Sequence, residues 1–188
     1  MFKAAFLDRD GVINRKAPEG EYVTRWEEMV FLPGVAEAIV SFRRAGFLVI
    51  VVSNQRCVAK GLLTLRDLDS LNRRMREKLA ADGAMLDGVY CCPHDIESAC
   101  SCRKPAPGLL LEAAATHQID LKASWMIGDS LSDVEAGRSA GCKTAFLRVT
   151  SKSPGVLADL VAPSLLEAVS QILQREQFAM PVTRLSIS

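Results

Sequence analysis

Residues 3–14, which read KAAFLDRDGVIN, join a short apolar run to two aspartates and a glycine. The run Lys3–Leu7 is typical of a buried β-strand, and Asp8 and Asp10 follow where that strand would end. An extended backbone would point the two carboxylates to opposite faces, so a turn at Gly11 must bring both to one site. We therefore predict that this stretch opens a sheet and carries a reactive pair of carboxylates.

Strand-like and helix-like patterns alternate along the rest of the chain. Further strands are predicted at Leu48–Ser53, Gly88–Cys91, Ser124–Ile127 and Thr144–Leu147. Helical spacing of apolar residues predicts helices at Val35–Ala45, Thr64–Asp82, Pro107–Gln118, Ser132–Ala140 and Pro163–Phe178. This alternation implies an α/β fold with a doubly wound, Rossmann-like parallel sheet and right-handed crossovers.

Length and composition indicate a single globular domain. The chain has 188 residues, and we expect one domain over residues 1–178 and a flexible C-terminal tail over residues 179–188. Hydrophobic residues make up 49% and charged residues 24%, as is ordinary for a soluble protein. The net charge of +1 gives no case for nucleic-acid binding, which usually needs a clustered basic field.

No sequence feature of a secreted or membrane protein is present. The apolar stretch at the amino terminus is too short for a signal peptide and is interrupted at Asp8. No run approaches the roughly 20 apolar residues of a membrane span. We therefore expect a cytoplasmic monomer with no membrane partner, whose six cysteines are thiols or metal ligands rather than disulfides.

Four short polar motifs each follow an apolar run, where a parallel strand would end. They are Asp8-Arg9-Asp10-Gly11, Ser53-Asn54-Gln55, Arg103-Lys104-Pro105 and Gly128-Asp129-Ser130 with Asp133. Reactive groups of a doubly wound sheet gather beyond the carboxyl ends of its strands, so we expect the motifs to meet. Carboxylates, a hydroxyl with an amide and a cation form a set suited to phosphoryl transfer through an aspartyl phosphate.

The residue types suggest a task for each motif. A carboxylate such as Asp8 can attack phosphorus when a divalent cation offsets charge repulsion, while Asp10 can exchange protons with alcohol and water. The Ser53 hydroxyl can hold phosphoryl oxygens beside the fixed positive charge of Lys104. Arg103 can grip a phosphate or sugar hydroxyls with two parallel hydrogen bonds. The alternative is that the first motif is only a polar turn with a helix cap.

A second carboxylate pair, Asp129 and Asp133, has the oxygen ligands that Mg²⁺ prefers. Asp133 could equally cap the helix that follows it. The sequence alone leaves both interpretations of Asp133 open.

A cluster of cysteines and one histidine precedes the basic motif. Its members are Cys92, His94, Cys100 and Cys102, in the pattern Cys-x-His, five residues, Cys-x-Cys. Three thiols and an imidazole form a closed tetrahedral set for structural Zn²⁺. A disulfide is the alternative, which the expected compartment disfavours. A zinc clip would order this loop and set the basic residues that follow it at the mouth of the site.

The ordered motifs resemble those of the haloacid dehalogenase superfamily of phosphohydrolases over residues 1–149. The resemblance implies the haloacid dehalogenase fold, essentially without a cap domain. It also implies the catalytic residues Asp8 as nucleophile, Asp10 as general acid and base, and Ser53 and Lys104 as phosphoryl stabilisers. Catalytic Mg²⁺ would be held by Asp8, Asp129 and the backbone carbonyl of Asp10.

Within the superfamily, the motifs and the zinc loop are similar to the D-glycero-D-manno-heptose 1,7-bisphosphate phosphatases. The local features that carry this similarity are Val12-Ile13-Asn14, Ala59-Lys60-Gly61 and Pro105-Ala106-Pro107-Gly108. The family implies Mg²⁺-dependent removal of the 7-phosphate from a small phosphorylated sugar, on the way to lipopolysaccharide or surface-glycan precursors. The substrate-binding residues expected here are Asn54, Gln55, Arg56, Arg103 and Ser130.

Two other functions stay open, and two of the motifs depart from the family. The five-residue gap in the zinc loop is similar to histidinol phosphatases, so histidinol phosphate or another small polyol phosphate is an alternative substrate. A zinc-stabilised interaction module without catalysis is the non-enzyme alternative. Arg56-Cys57 stand where the family usually has Ser-Gly, and Ser130 stands where it usually has Lys. That loss removes a cation near the metal, which Arg56 could partly replace.

Overall fold

The structure, a computed structural model, describes residues 1–148 and 157–179. Its strands are β1 (Lys3–Leu7), β2 (Phe47–Asn54), β3 (Gly88–Cys92), β4 (Trp125–Gly128), β5 (Lys143–Leu147) and β6 (Leu160–Ala162). Its helices are α1 (Val35–Arg44), α2 (Leu65–Ala81), α3 (Gly108–His117), α4 (Leu131–Ala140) and α5 (Leu165–Ala179). None of the helices in these two ranges is long and apolar enough to cross a membrane.

The six strands form one parallel sheet in the order β3-β2-β1-β4-β5-β6. The predicted doubly wound parallel sheet is thereby confirmed. Both ends of each predicted strand and helix lie within two residues of the observed ends. The sixth strand was not predicted, because three residues are too few to show a period. The predicted tail, residues 179–188, begins at the last residue of α5, and residues 180–188 lie outside the described residues.

Alternate residues of the strands pack against helices on opposite faces of the sheet. On β1, Ala4 and Phe6 belong to the core beneath α3 and α4, whereas Ala5 and Leu7 belong to the core beneath α1, α2 and α5. Residues 49–53 of β2 are all buried, as the continuous apolar run predicted for a central strand covered on both faces. The sheet is therefore covered by helices on both of its faces.

The strand order reverses between β1 and β4, which lie side by side at the middle of the sheet. The crossover from β1 leads to β2 on one side, while β4 leads to β5 on the other, so a crevice opens beyond their carboxyl ends. In the described chain no separate domain is inserted after β1 or β2, where residues 8–34 and 55–64 connect directly to α1 and α2. The crevice is therefore open to small molecules.

Candidate active site

The first and last motifs meet in the crevice between β1 and β4. Gly11 adopts a φ of +99°, and a Cβ at this position would lie 2.2 Å from Oδ2 of Asp129. Only glycine combines that conformation with so close an approach, so Gly11 provides the turn that the sequence required. The turn allows Asp8 and Asp10 to line one cavity.

Lys104 lies at the centre of the site and is almost completely buried. Its Nζ lies 2.9 Å from Oδ1 of Asp8 and 2.6 Å from Oδ1 of Asp133. It also donates a hydrogen bond of 2.8 Å to the carbonyl of Val52 at the end of β2. Three partners fix the ammonium, so Lys104 is a rigid positive charge beside the Asp8 carboxylate.

Burial and charge act against each other on this ion pair. The pKa of Asp8 is raised to about 7, because burial and the charge of Asp133 raise it by more than the Lys104 ammonium lowers it. Burial alone would lower the pKa of Lys104, but the charges of Asp8 and Asp133 outweigh it and raise that pKa. Lys104 therefore stays protonated, and a further cation beside Asp8 would favour its ionised, nucleophilic form.

Three side chains position the carboxylate of Asp10. Asn14 Nδ2 donates to Oδ1 over 2.8 Å, and Gln55 Nε2 donates to Oδ2 over 2.9 Å. The buried guanidinium of Arg9 lies 3.0 Å from Oδ2. Because Gln55 also donates to Oγ of Ser53 over 2.8 Å, it links Asp10 to the end of β2. Asp10 is held in one orientation at the rim of the cavity.

Three carboxylates could hold a cation. Oxygens of Asp8, Asp129 and Asp133 lie within 4.8 Å of one another. Oδ1 of Asp129 is buried and has no hydrogen-bond partner among the described residues, as expected of an oxygen directed at a metal position. An all-oxygen set suits Mg²⁺, so the residues present fit this ion.

Asp133 also caps α4, so both tasks considered for it from the sequence have a counterpart. Its Oδ2 accepts hydrogen bonds from the backbone amide and the hydroxyl of Ser130, at 3.0 and 2.6 Å. Its Oδ1 faces Lys104. Gly128 is needed here, because a Cβ there would lie 2.2 Å from the Asp133 side chain. The helix cap thus fixes a charged residue of the site.

Two adjoining cavities extend from the carboxylates. The first, of about 240 Å³, is lined by Asp8, Asp10, Lys16, Ser53, Asn54, Arg103, Lys104, Ser130, Ser132 and Asp133. The second, of about 280 Å³, lies between Asp10, Asn54 and Gln55 and the segment Ala17–Val23. Asn54 stands between them, and its amide exchanges two 3.0 Å hydrogen bonds with the backbone of Lys104. Together they offer room for a phosphate and an attached polar chain.

The cysteine cluster assembles as a compact set of ligand atoms. Sγ of Cys102 lies 3.2 Å from Sγ of Cys92 and from Nδ1 of His94, and 3.5 Å from Sγ of Cys100. A tetrahedron with Zn–S bonds of about 2.3 Å has edges of roughly 3.8 Å, so these separations suit Zn²⁺. All six cysteines are free thiols, so the disulfide alternative is not present.

The pKa values of the thiols in this cluster differ from one another. Burial raises the pKa of Cys100, but hydrogen bonds from Cys102 and the backbone outweigh it and bring that pKa to about 6. Burial and the neighbouring thiols raise the pKa of Cys102 to about 12. A lowered pKa favours the thiolate of Cys100, and the thiolate is the form of cysteine that binds a metal ion.

One predicted substrate-binding residue, Arg56, lies outside the cavities, and Lys16 belongs to the site although the sequence did not indicate it. Arg56 pairs with Asp95 of the zinc loop, Nε to Oδ1 at 2.6 Å, and lines neither of the two cavities. Lys16, not singled out from the sequence, lies 2.9 Å from Asp129 Oδ2 and lines both. Burial would lower its pKa, but Asp129 raises it. No periodicity or motif marks Lys16, because its partner is 113 positions away.

Comparisons with known proteins identify the family. A family profile described as HAD-hydrolase-like matches residues 101–168. A D-glycero-beta-D-manno-heptose-1,7-bisphosphate 7-phosphatase of Rhodopseudomonas palustris is 43% identical over 145 residues, which cover 73% of this chain and 79% of that protein. The chain belongs to the heptose bisphosphate phosphatase family of haloacid-dehalogenase-like hydrolases. It is a phosphoric monoester hydrolase, which sets aside the non-enzyme alternative.

Two further relatives extend the similarity over most of this phosphatase. A D-glycero-alpha-D-manno-heptose-1,7-bisphosphate 7-phosphatase of Mycobacterium tuberculosis is 39% identical over 86% of this chain and 87% of that protein. A solved D,D-heptose 1,7-bisphosphate phosphatase of B. bronchiseptica, complexed with magnesium and phosphate, has a TM-score of 0.81 and 31% identity. That similarity covers 92% of this chain and 99% of that one. The fold and the family therefore agree with the resemblance found in the motifs.

Proposed function

We propose that this phosphatase removes the 7-phosphate of a D-glycero-D-manno-heptose 1,7-bisphosphate, in a Mg²⁺-dependent reaction that supplies lipopolysaccharide or surface-glycan precursors. The observation that carries the proposal is the contact of Asp8 with Lys104, 2.9 Å apart, beside Asp129. The same chain has relatives named for this substrate at 39–43% identity. We further propose that the enzyme acts as a cytoplasmic monomer.

The metal of this proposal would be held by Asp8, Asp129 and the backbone carbonyl of Asp10. When bound, Mg²⁺ would reduce the repulsion between the Asp8 carboxylate and the phosphate and withdraw charge from the phosphoryl oxygens. Two observations support it: the buried, unpartnered Oδ1 of Asp129, and a relative solved with magnesium and phosphate. The residues of the chain supply every other part of the reaction.

In the first step, a carboxylate oxygen of Asp8 attacks phosphorus and the bond from phosphorus to the sugar oxygen breaks. Asp10, positioned by Asn14 and Gln55, gives its proton to the departing sugar oxygen. The Ser53 hydroxyl and the Lys104 ammonium hold the phosphoryl oxygens while charge shifts to the leaving group. The product is the dephosphorylated sugar and an aspartyl phosphate on Asp8.

In the second step, water attacks the phosphorus of the aspartyl phosphate. Asp10, now ionised, takes a proton from that water, and the bond between phosphorus and the Asp8 oxygen breaks. Phosphate leaves and Asp8 recovers its carboxylate. Asp10 ends protonated and has regained the proton that it gave to the sugar in the first step.

The zinc loop is proposed to have a structural task. Structural Zn²⁺ on Cys92, His94, Cys100 and Cys102 would fix the chain directly before Arg103 and Lys104. Arg103, Asn54, Gln55 and Ser130 are the proposed substrate-binding residues, since each lines one of the two cavities. Arg56, which pairs with Asp95, would act on the substrate only through the loop.

The covalent mechanism is tested by the substitution Asp8→Asn. An amide cannot serve as the nucleophile, so we expect phosphate release with Mg²⁺ to fall about 10⁴-fold or more. The variant should fold, because Lys104 keeps Asp133 and the Val52 carbonyl as partners. Asp69→Asn, on an exposed part of α2, is the matched control and should keep full activity. Residual activity of Asp8→Asn above one tenth of normal would exclude the aspartyl phosphate.

Substrate preference is tested separately from mechanism. Phosphate release is measured for the β and α anomers of the heptose bisphosphate and for histidinol phosphate, each with Mg²⁺ and with chelator. We expect kcat/KM to favour a heptose bisphosphate over histidinol phosphate. A preference for histidinol phosphate would refute the substrate and leave the mechanism intact.

A further inference from the structure

The side chain of Lys16 stands beside the proposed metal position, yet the proposed mechanism does not use it. Its Nζ lies 2.9 Å from Oδ2 of Asp129, whose other oxygen is buried and without a hydrogen-bond partner in the described ranges. Asp129 is also a member of the carboxylate set that could hold Mg²⁺. A cation of the chain therefore neutralises a carboxylate that a metal ion would need.

Lys16 and Lys104 differ in how firmly the structure holds them. The Lys104 side chain is 2% exposed and bound by Asp8, Asp133 and the Val52 carbonyl. The Lys16 side chain is 57% exposed, and within the described part of the chain Asp129 is its one hydrogen-bond partner. Loss of a single exposed ion pair costs little, so Lys16 can leave Asp129 easily.

The surroundings of Lys16 allow its ammonium to reach the substrate without a backbone change. Its side chain lines the cavity of Asp8 and the adjoining cavity of Ala17–Val23. The backbone before it is anchored, because Arg15 N donates to the Val30 carbonyl over 2.8 Å and Asn14 Nδ2 donates to the Arg15 carbonyl over 2.9 Å. A rotation of the flexible lysine stem is enough to turn the charge from Asp129 into either cavity.

An ammonium and Mg²⁺ compete for Asp129, because both are cations and repel each other at short range. We propose that Lys16 is a phosphate-binding residue of the substrate site. Its ammonium pairs with Asp129 while the metal is absent, and Mg²⁺ binding at Asp129 releases it. The inference rests on the proposed function, since it requires Mg²⁺ at Asp129. Released Lys16 adds a positive charge to the cavity only when the metal is in place to support the reaction.

The competition is measured by titrating Mg²⁺ into the zinc-loaded protein by calorimetry, without substrate. Lys16→Met removes the competing charge, so we expect its Mg²⁺ dissociation constant to fall about three- to tenfold below that of the unaltered protein. Lys16→Arg keeps the charge and should bind Mg²⁺ nearly as the unaltered protein does. Lys122→Met removes an exposed lysine from the turn before β4, and it is the control for a general change in charge.

The release is measured through the coupling between Mg²⁺ and inorganic phosphate. Mg²⁺ should strengthen phosphate binding in the unaltered protein partly by freeing Lys16, so this coupling should shrink about three- to tenfold in Lys16→Met. For the same reason KM for the sugar phosphate should rise in Lys16→Met, and Lys16→Arg should restore much of it. If Lys16 had a merely structural task, its replacement would not tighten the binding of Mg²⁺ while weakening the binding of phosphate.

Each outcome decides the inference. Tighter Mg²⁺ binding together with weaker phosphate coupling in Lys16→Met supports it. Unchanged or weaker Mg²⁺ binding in Lys16→Met, or an unchanged phosphate coupling, overturns the inference. If the unaltered protein hydrolyses substrate with Mg²⁺, the proposed function still stands. An unaltered protein that neither binds Mg²⁺ nor releases phosphate refutes the proposed function and this inference with it.

Discussion

Single charged residues in this protein depend on partners that the sequence places far away. Lys104 lies between two carboxylates, Asp8 directly after β1 and Asp133 in α4, and its own segment follows the zinc loop. None of the three could be buried alone at acceptable cost, because an unpaired buried charge is strongly destabilising. The same contacts that stabilise the fold therefore arrange the proposed nucleophile.

Lys104→Met tests this double task at the scale of one residue. The substitution leaves Asp8 and Asp133 buried without their cation, so we expect a loss of about 3–5 kcal/mol in the free energy of unfolding. The measurement is urea unfolding at pH 7, with phosphate release measured in parallel. Lys122→Met, which removes an exposed lysine, should change stability by less than about 0.5 kcal/mol. Normal stability of Lys104→Met would show that the ion pairs contribute nothing to folding.

At the scale of elements, the zinc loop is tied to the end of β2. The backbone amide of Gln55 donates to the Cys92 carbonyl over 2.7 Å, and Ala59 N donates to the Pro93 carbonyl over 3.1 Å. The pair of Arg56 and Asp95 adds a side-chain link. These contacts join the zinc loop to residues beside the two cavities, so we expect disorder in the loop to spread to the cavity lining.

Removal of zinc should loosen this loop and leave the sheet intact. After chelation, or in Cys100→Ser, we expect faster amide hydrogen exchange over residues 93–103 and a fall of about 10–100-fold in kcat/KM. Cys142→Ala, a buried thiol outside the cluster, should keep its zinc and its exchange pattern. Full activity in protein shown by elemental analysis to lack zinc would refute the structural task of the metal.

At the scale of the whole molecule, the site joins both sides of the sheet. Asp8 follows β1, Asp129 follows β4, and Lys104 precedes α3, so a ligand bound there contacts elements on either side of the point where the strand order reverses. Binding to the folded state alone stabilises the whole domain. The stability of this protein should therefore report on occupation of its site.

Mg²⁺ with inorganic phosphate should raise the melting temperature of the domain. At a ligand concentration of 100 times the dissociation constant, the free energy of unfolding rises by about 2.7 kcal/mol. For a domain of this size, that gain corresponds to roughly 5–10 °C. Calorimetric scans with and without the two ligands measure the shift. Asp129→Asn should lose most of it, and an equal shift in that variant would mean that the ligands bind elsewhere.

The sequence by itself predicted the strands, the helices and the residues after the strand ends. Burial on both faces makes residues 47–52 continuously apolar, and a parallel sheet brings the ends of β1, β2 and β4 to one edge. Asp8, Ser53 and Asp129 could therefore be grouped from the sequence. The spacing of the cysteine cluster was equally local. These features depend on short stretches of chain, so the hydrophobic period and the residue types are enough to predict them.

Only the tertiary structure decided which charges meet. Lys16 reaches Asp129 across 113 positions, and Arg56 turns to Asp95 rather than to the substrate cavities. The three residues of β6 form a strand because β5 is beside them. In each case the partner is chosen by how strands and helices pack, and side-chain pairing across long chain separations leaves no period or motif in the sequence from which it could be read.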